Sequence, residues 1–267
     1  MTHPTRSLFP GLVPHSSGRI PGSTGLIVIR GSPTQPAVHL DPSWTSAERQ
    51  KIVAALQQIS ASHITQTGLQ VFTDSSSLQT GSPDVGFILR AFSQQSRKVI
   101  IVPTQPGNFI PDATRFGSDV RVGLAFDSNG NLDTFHFFTN TALSLSTYAQ
   151  PPAPAPGQSA IEKAPGYRCL AHELVHAFRY LYGLAVPGDK DHEFYDPWGN
   201  RFKQRVYVEE LRVIGLLGKE LVSENSIRYD LGLNSRDAYA SPTLPLDQQG
   251  VKPVSAAPSW WPDCPTP

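Results

Sequence analysis

The segment His172-Glu173-Leu174-Val175-His176 decides the fold expected of this chain. On a helix, two residues four positions apart lie on one face, about one turn from each other. Their imidazoles can therefore bind the same ion, and zinc is the usual one. The glutamate between them stands where metal-dependent hydrolases carry a general base. The segment thus predicts a zinc-binding helix with His172 and His176 as ligands and Glu173 as catalytic base.

The surrounding residues predict that this helix spans 166–182. At about 100° per residue, its apolar side chains fall on one side and both histidines on the other. The apolar set is Leu170, Leu174, Ala177, Phe178 and Leu181. Gly183 follows as a candidate C-cap. Such a helix would bury one face and present the histidines to a cleft; the alternative is a solvated face with two incidental histidines.

A catalytic zinc ion needs a third protein ligand and an open position for water. The downstream candidates are Asp189, Asp191, His192, Glu193, Asp196, Glu209 and Glu210. Metzincins require Gly and His at fixed steps after the motif, but Arg179 and Tyr182 stand at those positions. The sequence therefore excludes that class of zinc peptidase.

A second helix is predicted from Phe202 to Leu217, with an apolar stripe formed by Val206, Val213, Ile214 and Leu217. Glu210 falls near the middle of this stripe. A buried carboxylate is costly unless it is paired or bound to a metal, so we expect Glu210 to be the third ligand. His192 is the alternative, in a segment, 189–199, that resembles a turn-rich loop. Glu209 either hydrogen-bonds a ligand histidine or lies exposed or in an ion pair.

The rest of the chain predicts an α+β domain. Thr45 and Glu48 form a capping box before a helix, and short strands are expected at 25–30, 68–72 and 98–102. Arg121–Phe126 and Leu132–Phe138 flank Ser128-Asn129-Gly130, which indicates a hairpin that could supply an edge strand for substrate. We expect a flexible tail over 1–24, a compact domain over 25–240 with a Pro-rich loop at 150–160, and a Pro-rich tail over 241–267.

Composition narrows the classes of partner. Lysine and arginine total 22, as do aspartate and glutamate, so the formal net charge is zero. Bulk attraction to nucleic acid or to an anionic membrane is therefore not expected. No segment approaches the roughly 20 apolar residues of a membrane helix. Cys169 and Cys264 are interpreted as free thiols in a reducing compartment, and we expect a monomer.

Three segments resemble known zinc peptidases. Residues 172–183, His-Glu-Leu-Val-His-Ala-Phe-Arg-Tyr-Leu-Tyr-Gly, resemble the active-site helix of clostridial neurotoxin light chains. Val208-Glu-Glu-Leu-Arg212 resembles their second zinc helix, in which the later glutamate is the ligand. Asn234-Ser-Arg-Asp-Ala-Tyr239 is similar to their Arg-x-x-Tyr element. The shorter NleD/XopG-type effector peptidases of Gram-negative pathogens share these elements and fit this chain better in size.

This resemblance implies a zincin-like fold and a small mixed sheet packed on the HExxH helix and a second ligand helix. It implies one Zn²⁺ per chain, and an oxyanion stabilised by Arg236 and Tyr239. It also implies type III secretion into a host cell and cleavage of a host protein; the best-understood relative cuts stress-activated MAP kinases. The chain between Glu210 and Arg236 is shorter than in the neurotoxins, so their substrates are not implied. A zinc-binding pseudoenzyme and a metal-free interaction module are the alternatives.

Overall fold

The computed structural model describes residues 17–19, 26–28, 35–74, 78, 80–103, 119–124, 126, 130, 132, 136–140, 159–163, 166–195, 201–217 and 220–236. Most of the predicted tails 1–24 and 241–267 and of the Pro-rich loop 150–160 lie outside these residues, as do Asn129, Tyr239 and Cys264. The domain boundaries therefore stay predictions. Within the predicted N-terminal tail, β1 (Ser17–Arg19) is a strand rather than a flexible segment, because it pairs antiparallel with β2 (Leu26–Val28).

The main sheet is mixed and has five strands. They are β3 (Val38–Leu40), β4 (Ile64–Thr67), β5 (Gln70–Thr73), β6 (Val99–Pro103) and β7 (Val120–Leu124), in the order β4-β5-β3-β6-β7. β3, β6 and β7 run parallel, whereas β5 pairs antiparallel with both β3 and β4. A three-stranded sheet, β12-β8-β9, contains β8 (His136–Asn140), β9 (Ser159–Lys163) and β12 (Ser235–Arg236).

Five helices accompany the sheets in the described residues: α1 (Ser46–Ile59), α2 (Pro83–Phe92), α3 (Gly166–Leu181), α4 (Val208–Ile214) and α5 (Glu224–Asp230). The predicted capping box is confirmed, since Thr45 and Glu48 satisfy each other's backbone N–H groups at the start of α1. Ser82 is the N-cap of α2, and its hydroxyl accepts from the backbone N–H groups of Asp84 and Val85, with Pro83 in the first turn. Helices and a mixed sheet confirm the α+β class for these residues.

Helix α3 lies in the main hydrophobic core, against α1, α2 and β7. The predicted apolar face is confirmed: Leu170, Leu174, Ala177 and Phe178 are buried, and Leu181 packs against the core. Phe178 contacts Phe87 of α2 edge to face, with ring centroids 5.7 Å apart. Gly183 has a φ of 64° and terminates the helix as predicted. Because α3 is packed on several sides, the position of its histidines is well fixed.

The hairpin expected around residue 130 is found only in part among the described residues. There, the two predicted arms share the antiparallel bridge between Phe126 and Leu132, whereas β7 pairs with β6 in the main sheet and β8 pairs with β9 and β12. The side chains of Val120, Val122 and Leu124 are all buried. Parallel pairing inside the main sheet buries this apolar strand, which an isolated two-stranded hairpin could not do.

The region before the second ligand helix also differs from the prediction. Residues 189–199 were expected to form a loop and 202–217 a continuous helix. Instead, β10 (Asp189–Tyr195) and β11 (Arg201–Tyr207) form a seven-pair antiparallel hairpin, and α4 starts only at Val208. Pro197 and Gly199, which lie between the strands in sequence, are residues typical of turns. The apolar residue Val206 therefore lies on a strand, not on the stripe of the ligand helix.

Candidate metal centre

Three side chains from α3 and α4 converge on one point. The Nε2 atoms of His172 and His176 lie 3.1 Å apart. One oxygen of Glu210 lies 3.3 Å from His172 Nε2, and the other lies 3.3 Å from His176 Nε2. In the described part of the chain, this is the group of histidines and carboxylates whose spacing could hold a metal ion. The third residue is Glu210 as predicted, and the alternative ligand His192 is not part of the group.

These distances suit a divalent cation. Zinc binds histidine nitrogen and carboxylate oxygen at about 2.0–2.2 Å, so two corners of a tetrahedral site lie about 3.3–3.6 Å apart. Glu210 Oε2 is buried and has no hydrogen-bond partner. A buried carboxylate oxygen left without a partner is unfavourable, and coordination of a cation would satisfy it. The residues therefore fit a metal ion; two imidazoles and a carboxylate suit zinc and other transition metals.

The way in which the short helix α4 ends brings the start of α5 close to this group. Gly215 follows α4 with a φ of 96°, in the left-handed region that favours glycine. A Cβ at this position would lie 2.7 Å from Ser223 Oγ. Ser223 is the N-cap of α5, and its hydroxyl accepts from the backbone N–H of Ser226. The glycine thus lets the start of α5 lie against the end of α4, which brings Glu224 to the centre.

Glu173 lies beside the three ligands, as the motif predicted. It is buried, Oε1 lies 4.0 Å from His172 Nε2, and Oε2 has no hydrogen-bond partner. Burial raises the pKa of Glu173 to about 7, although the charges of His176 and His172 oppose this shift. A carboxylate whose pKa is near neutral can both accept and return a proton at physiological pH. The position of Glu173 and the direction of its pKa shift are thus compatible with general acid–base chemistry.

Glu224, which the sequence analysis missed, holds His172 from the other side. His172 Nδ1 lies 2.8 Å from Glu224 Oε2, and the same oxygen accepts a 2.8 Å hydrogen bond from Arg236 Nη1. When Nδ1 carries the proton it donates to Glu224, and the lone pair of Nε2 is then directed at the ligand group. The only local signal in the sequence was Ser223 as a helix N-cap, which says nothing about a histidine 52 positions earlier.

Of the two alternatives left open for Glu209, the structure shows the ion pair, and the hydrogen bond to His172 is made by Glu224 instead. Glu209 is buried and accepts from Arg179 Nε at 2.7 Å, Arg179 Nη2 at 3.1 Å and the backbone N–H of Val186 at 2.9 Å. The sequence projection had placed Glu210 on the buried stripe and Glu209 to one side. In the structure Glu209 is the more buried of the two, because Arg179 neutralises it inside the protein.

Arg236 is connected to His172 by Glu224, whose Oε2 atom contacts both residues. Arg236 is 3 % exposed, and Asn225 accepts from its backbone N–H and donates to its carbonyl oxygen. Arg236 is therefore buried and paired with Glu224 rather than lying on the surface. Tyr239, predicted to act with Arg236, lies outside the described residues.

The protonation of the ligand group is strongly coupled. Burial lowers the pKa of His172, but the neighbouring carboxylates of Glu210 and Glu224 outweigh burial and raise that pKa to about 10. The pKa of His176 is also raised, because the charge of Glu210 outweighs burial. Burial acts to raise the pKa of Glu210, yet the two histidines hold it well below its usual value. Without a cation the two histidines thus favour their protonated forms, and a bound cation would displace those protons.

No protein-family model, curated protein or solved structure matches this chain at a significant level. Within the described residues, none of the helices has the length and apolar character that crossing a membrane requires.

Proposed function

We propose that this chain is a zinc-dependent endopeptidase of the HExxH…E type with a zincin-like fold. The observation that carries the proposal is the convergence of His172, His176 and Glu210 at 3.1–3.3 Å. Glu173, buried beside this group with one unpartnered oxygen, adds the base that hydrolysis requires. A site that only bound metal would not need that glutamate, which argues against a zinc-binding pseudoenzyme.

In the proposed reaction, His172, His176 and Glu210 hold the metal. When bound, zinc supplies a Lewis acid and lowers the pKa of a water molecule toward about 7. Glu173 takes the proton from the attacking water and then delivers it to the leaving amine. Glu224 keeps the ring of His172 in its binding orientation, and Arg236, with Tyr239, stabilises the negative charge that develops on the substrate carbonyl oxygen.

The biological setting rests on the resemblance of the three motifs to NleD/XopG-type effectors. We propose that the chain is secreted by a bacterium through type III secretion and cleaves a host protein in the host cytosol. Host stress-activated kinases are the first substrates to test, because they are the substrates of the best-understood relative. The formal net charge of zero gives no support to nucleic acid or to an anionic membrane as a partner.

Two measurements test this proposal. Elemental analysis of protein purified without a histidine tag should find about one zinc per chain; a metal-free protein would favour an interaction module. Wild type and Glu173→Gln are then incubated with host-cell extract, and new protein termini are identified by mass spectrometry. We expect cleavage by wild type alone, with zinc content equal in both proteins. Zinc without cleavage in either protein would favour the pseudoenzyme.

A further inference from the structure

A network of charges, buried at Arg179 and Glu209 and partly exposed at Arg212, joins α3 to α4 beside the ligand group. Arg179 is 2 % exposed and Glu209 is 3 % exposed, and they form the two-pronged pair described above. Arg179 Nη1 also donates to Glu220 Oε2 at 2.7 Å. The other oxygen of Glu220 accepts from Arg212 Nη1, on α4, at 3.0 Å. Two arginines and two glutamates therefore compensate one another at the junction of the two ligand helices.

Helix α4 depends on contacts of this kind to hold its position. It has seven residues, too few for stability as an isolated helix, and its N-cap, Tyr207, makes no side-chain capping bond. Of its described apolar side chains, Val213 packs in the main core. Leu211 and Ile214 instead belong to a separate minor cluster with Val206 and Leu216. Apolar packing thus ties α4 to α3 weakly for a helix that must place a ligand.

The pair of Arg179 and Glu209 joins the same two helices as the ligands, at positions close to His176 and Glu210. Arg179 follows His176 by three positions on α3, about one turn, and Glu209 directly precedes Glu210 on α4. A guanidinium with two parallel bonds to a carboxylate fixes both distance and orientation. Any movement of α4 that withdrew Glu210 from the histidines would therefore also break the two hydrogen bonds of this pair.

We propose that Arg179 is a positioning residue, which acts through Glu209 to hold Glu210 at the cation and so sets the affinity of the site. This inference rests on the proposed metal site and adds residues that do not touch the cation. Buried ion pairs often add little net stability compared with apolar replacements, yet they fix one arrangement of the groups around them. Removing Arg179 alone also leaves Glu209 buried without its partner and destabilises the fold, so the cation affinity of each variant is measured on folded protein.

The test measures Zn²⁺ affinity by competition with a chromophoric chelator, and the absorption spectrum of bound Co²⁺, for Arg179→Met, Arg179→Lys and Glu209→Gln. Loss of an outer hydrogen-bond partner of a ligand typically weakens metal binding by about 10–100-fold. We expect Arg179→Met to show a loss in this range and a changed Co²⁺ spectrum. Arg179→Lys keeps the positive charge but cannot make two parallel hydrogen bonds to Glu209, so its affinity should lie between those of the wild type and Arg179→Met. Glu209→Gln should weaken binding.

Arg90→Met is the matched control. Arg90 is partly buried on α2 and donates to Ser62 Oγ at 2.7 Å, so its removal should lower the melting temperature without changing Zn²⁺ affinity.

Wild-type affinity and an unchanged Co²⁺ spectrum in the Arg179 variants would overturn this inference alone. If Arg179→Met does not fold, Arg179→Lys and Glu209→Gln decide the matter. Failure of the wild type to bind Zn²⁺ would overturn the proposed function, and this inference with it.

Discussion

The two helices that carry the ligand group are held in place by different forces. Helix α3 has 16 residues and packs its apolar face in the main core. Helix α4 has seven residues, belongs mostly to the minor cluster, and is joined to α3 by buried charges. Apolar burial gives most of the stability of a domain, whereas charge pairs give direction. The histidines are thus held by the packing of α3 in the core, whereas α4, which carries Glu210, is joined to α3 by specific hydrogen bonds between Arg179 and Glu209.

The strongest test of this difference uses the same substitution in each helix. Leu174 on α3 and Leu211 on α4 are both completely buried. Replacing buried leucine with alanine costs about 2–5 kcal/mol, and the cost depends on whether the surroundings can collapse into the cavity. We expect Leu174→Ala to lie near the upper limit and Leu211→Ala near the lower one, in urea unfolding without metal. Hydrogen exchange should show local opening of α4 only in Leu211→Ala; equal costs and equal exchange would contradict the comparison.

Removing the carboxylate that α4 supplies should have the next largest effect. Glu210→Ala deletes a proposed ligand, so Zn²⁺ affinity should fall by more than the roughly 10–100-fold expected for an outer partner. Isothermal titration with Zn²⁺ measures this loss. His192→Ala is the control, since His192 lies outside the ligand group, and it should bind Zn²⁺ like the wild type. The reverse pattern would assign the third ligand to the β10–β11 hairpin.

Acid should weaken cation binding at this site. The pKa of His172 is raised to about 10 and that of His176 is also raised, so below these values the cation must displace protons. The affinity for Zn²⁺ therefore rises with pH, by about tenfold per pH unit for each proton displaced. Zn²⁺ titrations at pH 6, 7 and 8 measure the slope. Glu224→Gln removes a group that raises the pKa of His172 and should flatten it; affinity independent of pH in the wild type would refute the coupling.

The smallest effect is expected from a second two-pronged ion pair, which lies at the surface. Arg205, whose side chain is 54 % exposed, donates to both oxygens of Asp189, at 2.6 and 2.8 Å, across the β10–β11 hairpin. Water and salt screen such a pair, unlike the buried pair of Arg179 and Glu209. Arg205→Gln should leave the melting temperature and Zn²⁺ affinity unchanged. A loss of affinity like that expected for Arg179→Met would show that the hairpin, not the buried network, positions α4.

Sequence patterns predicted α3 well and the region of α4 poorly. The apolar period of residues 166–182 was confirmed, since the helix spans Gly166–Leu181. Glu210 does lie at the two histidines, but it is not on a buried stripe of a long helix, as the apolar period predicts. Val206, part of that predicted stripe, lies on β11, and Glu209 is the more buried glutamate. A short helix after a strand leaves too few turns for its period to be read.

The sequence by itself determined the helix that carries the motif, because helical period, capping and spacing are properties of neighbouring residues. Only the tertiary structure decided which groups surround that motif. The bond between His172 and Glu224 joins residues 52 positions apart, and that between Arg179 and Glu209 joins residues 30 positions apart. Local periodicity holds no information on such distances, since these pairs meet only when packing places α3, α4 and α5 together.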